Sequence, residues 1–285
     1  MAKIGVIGGS GLYQMDGLDV IDEVCMGTPF GQPSCSFIIG KMDGFEVVFL
    51  PRHGKGHKFS PSEINYRANI FGMKKLGVKA IISVSACGSL KEELKPSEFV
   101  LPDQFVDRTY KRQSSFFTDG IVAHVAFAEP TSPEIRAALA ESAKELGIVA
   151  HEGGTYFNME GPQFSTKAES RMYRTMGFDV IGMTNATEAK LAREAEISYA
   201  TLAAVTDYDC WHETHETVSV DMIIATLNKN IENARKIIKR SVPKIGAMRS
   251  FTAEDALKFA VITSPDAIPE NKKKELEPII GKYIR

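Results

Sequence analysis

Short, mostly apolar runs alternate with longer stretches in which apolar residues recur every three or four positions. Lys3 to Ile7, Lys79 to Val84 and Tyr199 to Val205 are continuous runs ending in small or polar residues, the pattern of strands buried on both faces. Ser36 to Leu50 reads as a hairpin turning at Lys41-Met42-Asp43-Gly44, and Phe99 to Val106, Gly154 to Met159 and Asp179 to Met183 read as further strands. Between them the spacing becomes helical. Ser62 to Leu76 is stopped by Gly77, and Ser132 to Leu146 has Ser132 as N-cap, Pro133 in its first turn, and Ile135, Leu139, Ala143 and Leu146 on one face. Thr166 to Met176 is a third helix, and Thr184 to Glu188 caps a fourth that runs to Ala195. From Ser219 a long helix carries Val220, Ile223, Ile224, Leu227, Ile231, Ala234 and Ile238 on one stripe. Past Pro243 the pattern loosens into a helical segment, Thr252 to Val261, and a lysine-rich terminal helix. Asp107 to Phe127 is polar and aromatic and too long for a simple connection, so a lid or a subunit contact is expected there.

Alternating strands and helices predict an α/β fold in a single domain, a central mixed β-sheet flanked by helices, with the polar strand ends forming a composite site along one edge. Residues 1–245 form the main body and residues 246–285 a C-terminal helical extension packing on it. The 285 residues are 44% hydrophobic and 25% charged, an ordinary globular composition that buries a large core. A formal net charge of -2 with dispersed Lys and Arg leaves no footprint for nucleic acid or a membrane surface. No apolar run approaches a membrane span and Met1-Ala2-Lys3 leads directly into a strand, so a cytoplasmic location is expected. Cys25, Cys35, Cys87 and Cys210 show no C-x-x-C spacing and read as reduced thiols, neither disulfides nor zinc ligands.

The chemistry-bearing residues fall after strands. Ala204 to Trp211 holds two carboxylates, Asp207 and Asp209, one residue apart at the end of an apolar run. On an extended chain they point to one side, and in a poorly solvated pocket one of them keeps its proton, a general acid beside an ionised acceptor. A solvated polar turn or a magnesium site is the alternative. Gly8-Gly9-Ser10-Gly11 after the first strand is either a phosphate cradle or a tight turn, and it does not fit the dinucleotide fingerprint. Pro51-Arg52-His53-Gly54-Lys55-Gly56-His57 is an oxyanion site or a solvated basic loop. Ser85-Ala86-Cys87-Gly88-Ser89 offers a hydroxyl and backbone amides to a ligand. Phe164, in Glu160-Gly161-Pro162-Gln163-Phe164-Ser165, is core by spacing, with a stacking platform as the other reading.

Taken in order, GGSGL, RHGKGH, SACGS, MEGPQFS, GMTNATE and TDYDCW resemble the trimeric class of purine nucleoside phosphorylases, most closely its members that act on 5'-methylthioadenosine, from Ile4 to Ile238. The resemblance implies attack of phosphate on the anomeric carbon as the purine leaves, through a ribosyl-cation-like transition state. It implies that Ser10, Arg52, His53, Ser85, Ala86 and Thr184 hold phosphate, that Met183 meets the ribose, and that Phe164 lies against the base. By the same carry-over Asp207 meets N7 and the 6-amino group, Asp209 also meets the amino group, and Ser165 and Val220 set specificity. Val220, Ile223 and Ile224, starting just past the acids, are placed to wall the same pocket. His57 and His151 match positions near the phosphate mouth, the second reached from a neighbouring subunit. A homotrimer or dimer of trimers is implied, with phosphate as co-substrate, no cofactor and no metal. Rival readings are a nucleosidase using water, a phosphorylase for 6-oxopurines, where an asparagine is expected in place of Asp207, and a noncatalytic nucleoside-binding module.

Overall fold

The three apolar runs lie side by side at the centre of one sheet. In the computed structural model, residues 1–9, 11–12, 17–212 and 220–284 are described, the side chains of 220–225 and 227 excepted. The strands among them are β1 Lys3–Gly8, β2 Asp19–Val24, β3 Phe37–Met42, β4 Phe45–Pro51, β5 Val78–Ser89, β6 Phe99–Leu101, β7 Gln104–Asp107, β8 Ala150–Glu152, β9 Thr155–Asn158, β10 Val180–Gly182 and β11 Ser198–Asp207. The helices are α1 Tyr66–Lys75, α2 Pro133–Glu145, α3 Lys167–Thr175, α4 Asn185–Glu194, α5 Val220–Gly246, α6 Glu270–Glu275 and α7 Glu277–Ile280.

The sheet runs β2-β3-β4-β1-β5-β10-β9-β7, and β11 continues it from β5 to β6 and β8. β1 is parallel to β4 and to β5, and β11 is parallel to β5 from Ser198 to Asp207. Gly88 is where the sheet divides, for it pairs with Ile181 of β10 and with Asp207 of β11. Parallel strands covered by helices are buried on both faces, which is why β11 is buried from Ser198 to Thr206 without alternation. One core packs Ile7, Val48, Leu50 and Ile81 under α1, α4 and the C-terminal segment; the other packs Ile4, Val6, Phe49 and Ile82 under α2 and α5. Leu257, Ile268, Leu276 and Ile279 of residues 246–285 belong to the first core.

Several expectations change. The strand expected over Phe99 to Val106 breaks at Pro102 into β6 and β7, which pair with different neighbours, since proline cannot donate to a ladder. Thr252 to Val261 is no helix but a chain of turns closed by bonds such as Ala256 N–H to Ala253 O and Lys258 N–H to Asp255 O. β2, exposed along its length, and the three-residue β8 have no periodic pattern to announce them. The Asp107–Phe127 excursion buries Phe116, Phe117 and Ile121 in the first core and is tied down from α4. There the Glu194 carboxylate accepts from the Phe116 N–H at 2.7 Å and the Ser115 hydroxyl at 2.8 Å.

Burial pushes the Glu194 carboxyl up to about 7 despite those two bonds. A carboxyl raised by folding costs nothing at acidic pH, where it is protonated in both states, and destabilises progressively as pH rises through the ordinary carboxyl range to about 7. Glu194→Gln is therefore expected to be more stable than the parent by about 1–3 kcal/mol in mildly alkaline buffer, with the gain fading in acid. Urea unfolding at two pH values checks this, and an equal difference at both contradicts it.

Candidate functional site

The carboxyl ends of β1, β4, β5, β10 and β11 open onto a cavity of about 650 Å³, closed on one side by Asn230 and Ile231 of α5. Ligands of open α/β sheets bind along this edge. The cavity has two polar ends.

At one end lie the acids. Asp207 closes β11 just after a register shift at Thr206, and such a bulge re-aims the side chains beside it. The Thr206 hydroxyl donates to Asp207 Oδ2 at 2.7 Å and the Asp209 amide donates to Oδ1 at 2.8 Å. Asp209 has φ of 52°, so a turn, not the alternation of an extended chain, brings the two carboxyls to the same cavity. Burial raises the Asp207 carboxyl above its ordinary pKa, the Asp209 charge adding to the rise, and burial likewise raises Asp209. Gly88 makes room for this. A Cβ there would stand 3.0 Å from Asp207 Oδ1 and 3.1 Å from Ile181 Cγ2. Gly88→Ala is expected to displace the carboxyl and lower turnover about tenfold or more, with only a modest loss of stability. Parental turnover in this variant would show that Asp207 has slack.

At the other end lie cations and small residues. Arg52 leaves β4 fully buried: its Nε and Nη2 donate to the two carboxylate oxygens of Glu188, Nη2 also to Ser83 Oγ, and Nη1 to Val84 O at 3.0 Å. Burial opposes the guanidinium charge, but Glu188 outweighs it and holds the pKa above the ordinary arginine value. His53 stands next to it, with Nδ1 2.8 Å from Phe59 O and its ring stacked 4.1 Å from His57. Ser85, Ala86, Thr184 and Lys58 complete this end. The Ser85 hydroxyl is buried near the Tyr156 hydroxyl and makes no hydrogen bond of good geometry.

Thr184 precedes α4, but no capping box forms there. Its hydroxyl meets Asn185 Oδ1 at 3.2 Å, while Asn158 Oδ1 accepts from the Ala186 N–H at 2.9 Å. Glu188, free of a capping duty, turns to Arg52. Asn185 is equally structural, its amide donating to Tyr199 Oη at 3.0 Å and Thr201 Oγ1 at 2.9 Å.

Phe164 is 53% exposed and lines the cavity, so its reading as core by spacing is overturned: the loop after β9 displays it at the mouth. The loop is held from behind. Arg112 donates through Nη2 to Glu160 O at 2.7 Å, through Nε to Glu160 Oε1 at 3.3 Å, and through Nη1 to Met183 O. One buried guanidinium thus ties the Phe164 loop to the strand end that carries Met183 and Thr184. Arg112 lies in no motif, and although Gly88, Glu160 and Glu188 fall within SACGS, MEGPQFS and GMTNATE, nothing local assigns them these roles, because their partners lie tens of residues away in the chain.

The cavity brings together Arg52, His53, His57, Ser85, Ala86, Phe164, Met183, Thr184, Asp207 and Asp209. Ser165 stands behind the wall, its hydroxyl 3.9 Å from Met159 Sδ and its carbonyl 3.2 Å from Cys210 Sγ. His151, on β8, is bonded to Glu98 at 2.7 Å and is not on the wall. Ser10 and the side chains of Val220, Ile223 and Ile224 lie outside the described residues. Among the described residues no three His, Cys, Asp or Glu groups cluster as metal ligands would, and no helix is long and apolar enough to cross a membrane.

Residues 3–243 match the family model of the phosphorylase superfamily. The chain is 55% identical over 282 residues, 99% of each chain, to an S-methyl-5'-thioadenosine phosphorylase of Geobacter sulfurreducens. It is similar to the crystal structure of a methylthioadenosine phosphorylase from an antarctic soil metagenomic library, with a TM-score of 0.94 at 49% identity over 98% of both chains. A variant adenosine/methylthioadenosine phosphorylase of Schistosoma mansoni in complex with methylthioadenosine matches with a TM-score of 0.85 at 36% identity, over 90% of this chain and 96% of that one.

Proposed function

The chain belongs to the phosphorylase superfamily, and on that premise we propose that it cleaves 5'-methylthioadenosine with inorganic phosphate, giving adenine and 5-methylthioribose 1-phosphate. The observation that carries this reading is one cavity with an arginine and histidine at one end and, at the other, a carboxyl whose pKa burial raises.

Phosphate is already a nucleophile, so the anion end has only to hold it against the anomeric carbon. Arg52, His53, Ser85, Ala86 and Thr184, with Ser10, do this, and Met183 rests on the ribose. As the glycosidic bond breaks, the sugar becomes cationic beside the phosphate and the purine anionic beside Asp207. A purine anion is a poor leaving group. Asp207, its pKa raised by burial, gives a proton to N7, an effect of about a hundred- to ten-thousandfold. Asp209 accepts from the 6-amino group and Phe164 covers the base. Phosphate enters as co-substrate, and the chemistry calls on no cofactor or metal. The enzyme works in the cytoplasm as a homotrimer or dimer of trimers, in purine and methionine salvage.

Val220, Ile223 and Ile224, with Ser165 behind the base loop, set the preference at the 5' position. An apolar pocket accepts a methylthio group, whereas a 5'-hydroxyl entering it gives up its bonds to water at a cost of about 1–3 kcal/mol. The test is adenine release from methylthioadenosine and from adenosine at saturating phosphate. Methylthioadenosine is expected to have a kcat/KM roughly ten- to a hundredfold higher; equal values would place the 5' group in solvent.

A further inference from the structure

At the anion end, what matters next is which hydrogens the protein presents. Arg52 has five N–H groups, and four are taken, two by Glu188, one by Ser83 and one by Val84 O. Its charge is already matched by Glu188, both side chains being almost wholly buried. One Nη1–H remains for a ligand, and the Ser85 hydroxyl lines the same cavity. His53 adds something different. A carbonyl oxygen can only accept, so the 2.8 Å contact with Phe59 O places the ring hydrogen on Nδ1. The Nδ1 edge is thereby occupied, and Nε2 is the polar edge left for a ligand. Burial, the Arg52 guanidinium and stacked His57 hold the ring's pKa down to about 4, outweighing Glu188 and the Phe59 carbonyl. Lys58 and Glu63 are the other charged side chains on this part of the wall. At neutral pH Nε2 is a bare lone pair.

We propose that His53 reads the proton on the incoming oxyanion, making the site selective for a monoprotonated oxyanion, hydrogen phosphate or hydrogen arsenate, over anions of similar size and charge that carry none. The inference rests on the reading of this end as the phosphate site and adds a chemical requirement to it. Hydrogen phosphate donates its hydroxyl to Nε2 and offers its bare oxygens to Arg52, Ser85 and the backbone. Sulfate meets Nε2 with a second lone pair, and a buried acceptor facing an acceptor is destabilising. The net reaction agrees in its proton count: hydrogen phosphate loses one proton, adenine gains one from Asp207, which is reprotonated from solvent, and the sugar phosphate leaves as a dianion.

The probe is monofluorophosphate, which at mildly alkaline pH has the shape and charge of hydrogen phosphate with fluorine in place of the hydroxyl. Its inhibition constant against phosphate, and that of sulfate, are measured on the wild-type enzyme turning over methylthioadenosine. Both are expected to bind at least about tenfold more weakly than phosphate, while arsenate supports adenine release. In His53→Gln, whose amide can present either a donor or an acceptor, the gap is expected to narrow. Monofluorophosphate binding as tightly as phosphate to the wild type, or a gap unchanged in His53→Gln, overturns the proposal. Adenine release indifferent to phosphate is a separate failure, and overturns the phosphate-site reading beneath it.

Discussion

Asp207→Asn is expected to lower the turnover of methylthioadenosine by about a hundred- to ten-thousandfold while leaving its KM within a few-fold. The amide keeps the shape of the carboxyl and can still accept from the Asp209 N–H, so the turn after β11 has no reason to open. What disappears is the transferable proton, at the point where charge builds on the leaving purine. The parent enzyme shows the same dependence in its pH profile. With the Asp207 pKa raised by burial, the protonated share falls, and turnover with it, as pH rises through that displaced value. The amide that Asp207→Asn introduces can also donate to a 6-oxo group, so a relative gain for methylthioinosine is expected. Near-parental turnover of methylthioadenosine would mean that N7 receives its proton elsewhere.

Arg52→Ala is expected to fail twice, in phosphate binding and in stability. Losing a charge-assisted contact to a dianion raises the phosphate KM by about ten- to a hundredfold. The sequence suggests only this loss. The structure adds that Arg52 neutralises Glu188 where the two side chains are 3% and 2% exposed. Deleting one partner of such a pair leaves a buried charge uncompensated, at about 3–5 kcal/mol. Glu188→Gln separates the effects. It also destabilises, but it releases the Arg52 charge toward the anion, so the phosphate KM should not rise as it does in Arg52→Ala. Thermal unfolding and phosphate titration of both variants decide this. An Arg52→Ala enzyme with unchanged Tm and phosphate KM would remove Arg52 from both roles.

Much of the frame is legible in the chain because burial on both faces leaves a plain mark. β1, β5 and β11 are continuous apolar runs, and the residues at their ends had nowhere to go but the sheet edge. The carboxyl pair was legible for a partly wrong reason: strand alternation suggested convergence, whereas a bulge at Thr206 and a left-handed Asp209 produce it. Phe164 was misjudged on spacing because a loop residue shows the same apolar character whether it is packed or displayed. Contacts that stabilise charge were invisible. Glu188 lies 136 residues from Arg52, and its position in a helix's first turn suggested a cap. Arg112, in the excursion without periodicity, meets Glu160 across 48 residues. Turn chains such as Thr252 to Val261 carry helical spacing without helical bonds, so local pattern cannot tell them apart.

The central claim is that phosphate, positioned at the end of the cavity away from Asp207, is the group that displaces adenine. Its most direct test is adenine release from methylthioadenosine by the phosphate-free enzyme, before and after phosphate is added, with the sugar product identified. The expected result is release only after phosphate is added, with 5-methylthioribose 1-phosphate formed mole for mole with adenine. Release at the same rate without phosphate, yielding the free sugar, would make the enzyme a hydrolase and contradict the account.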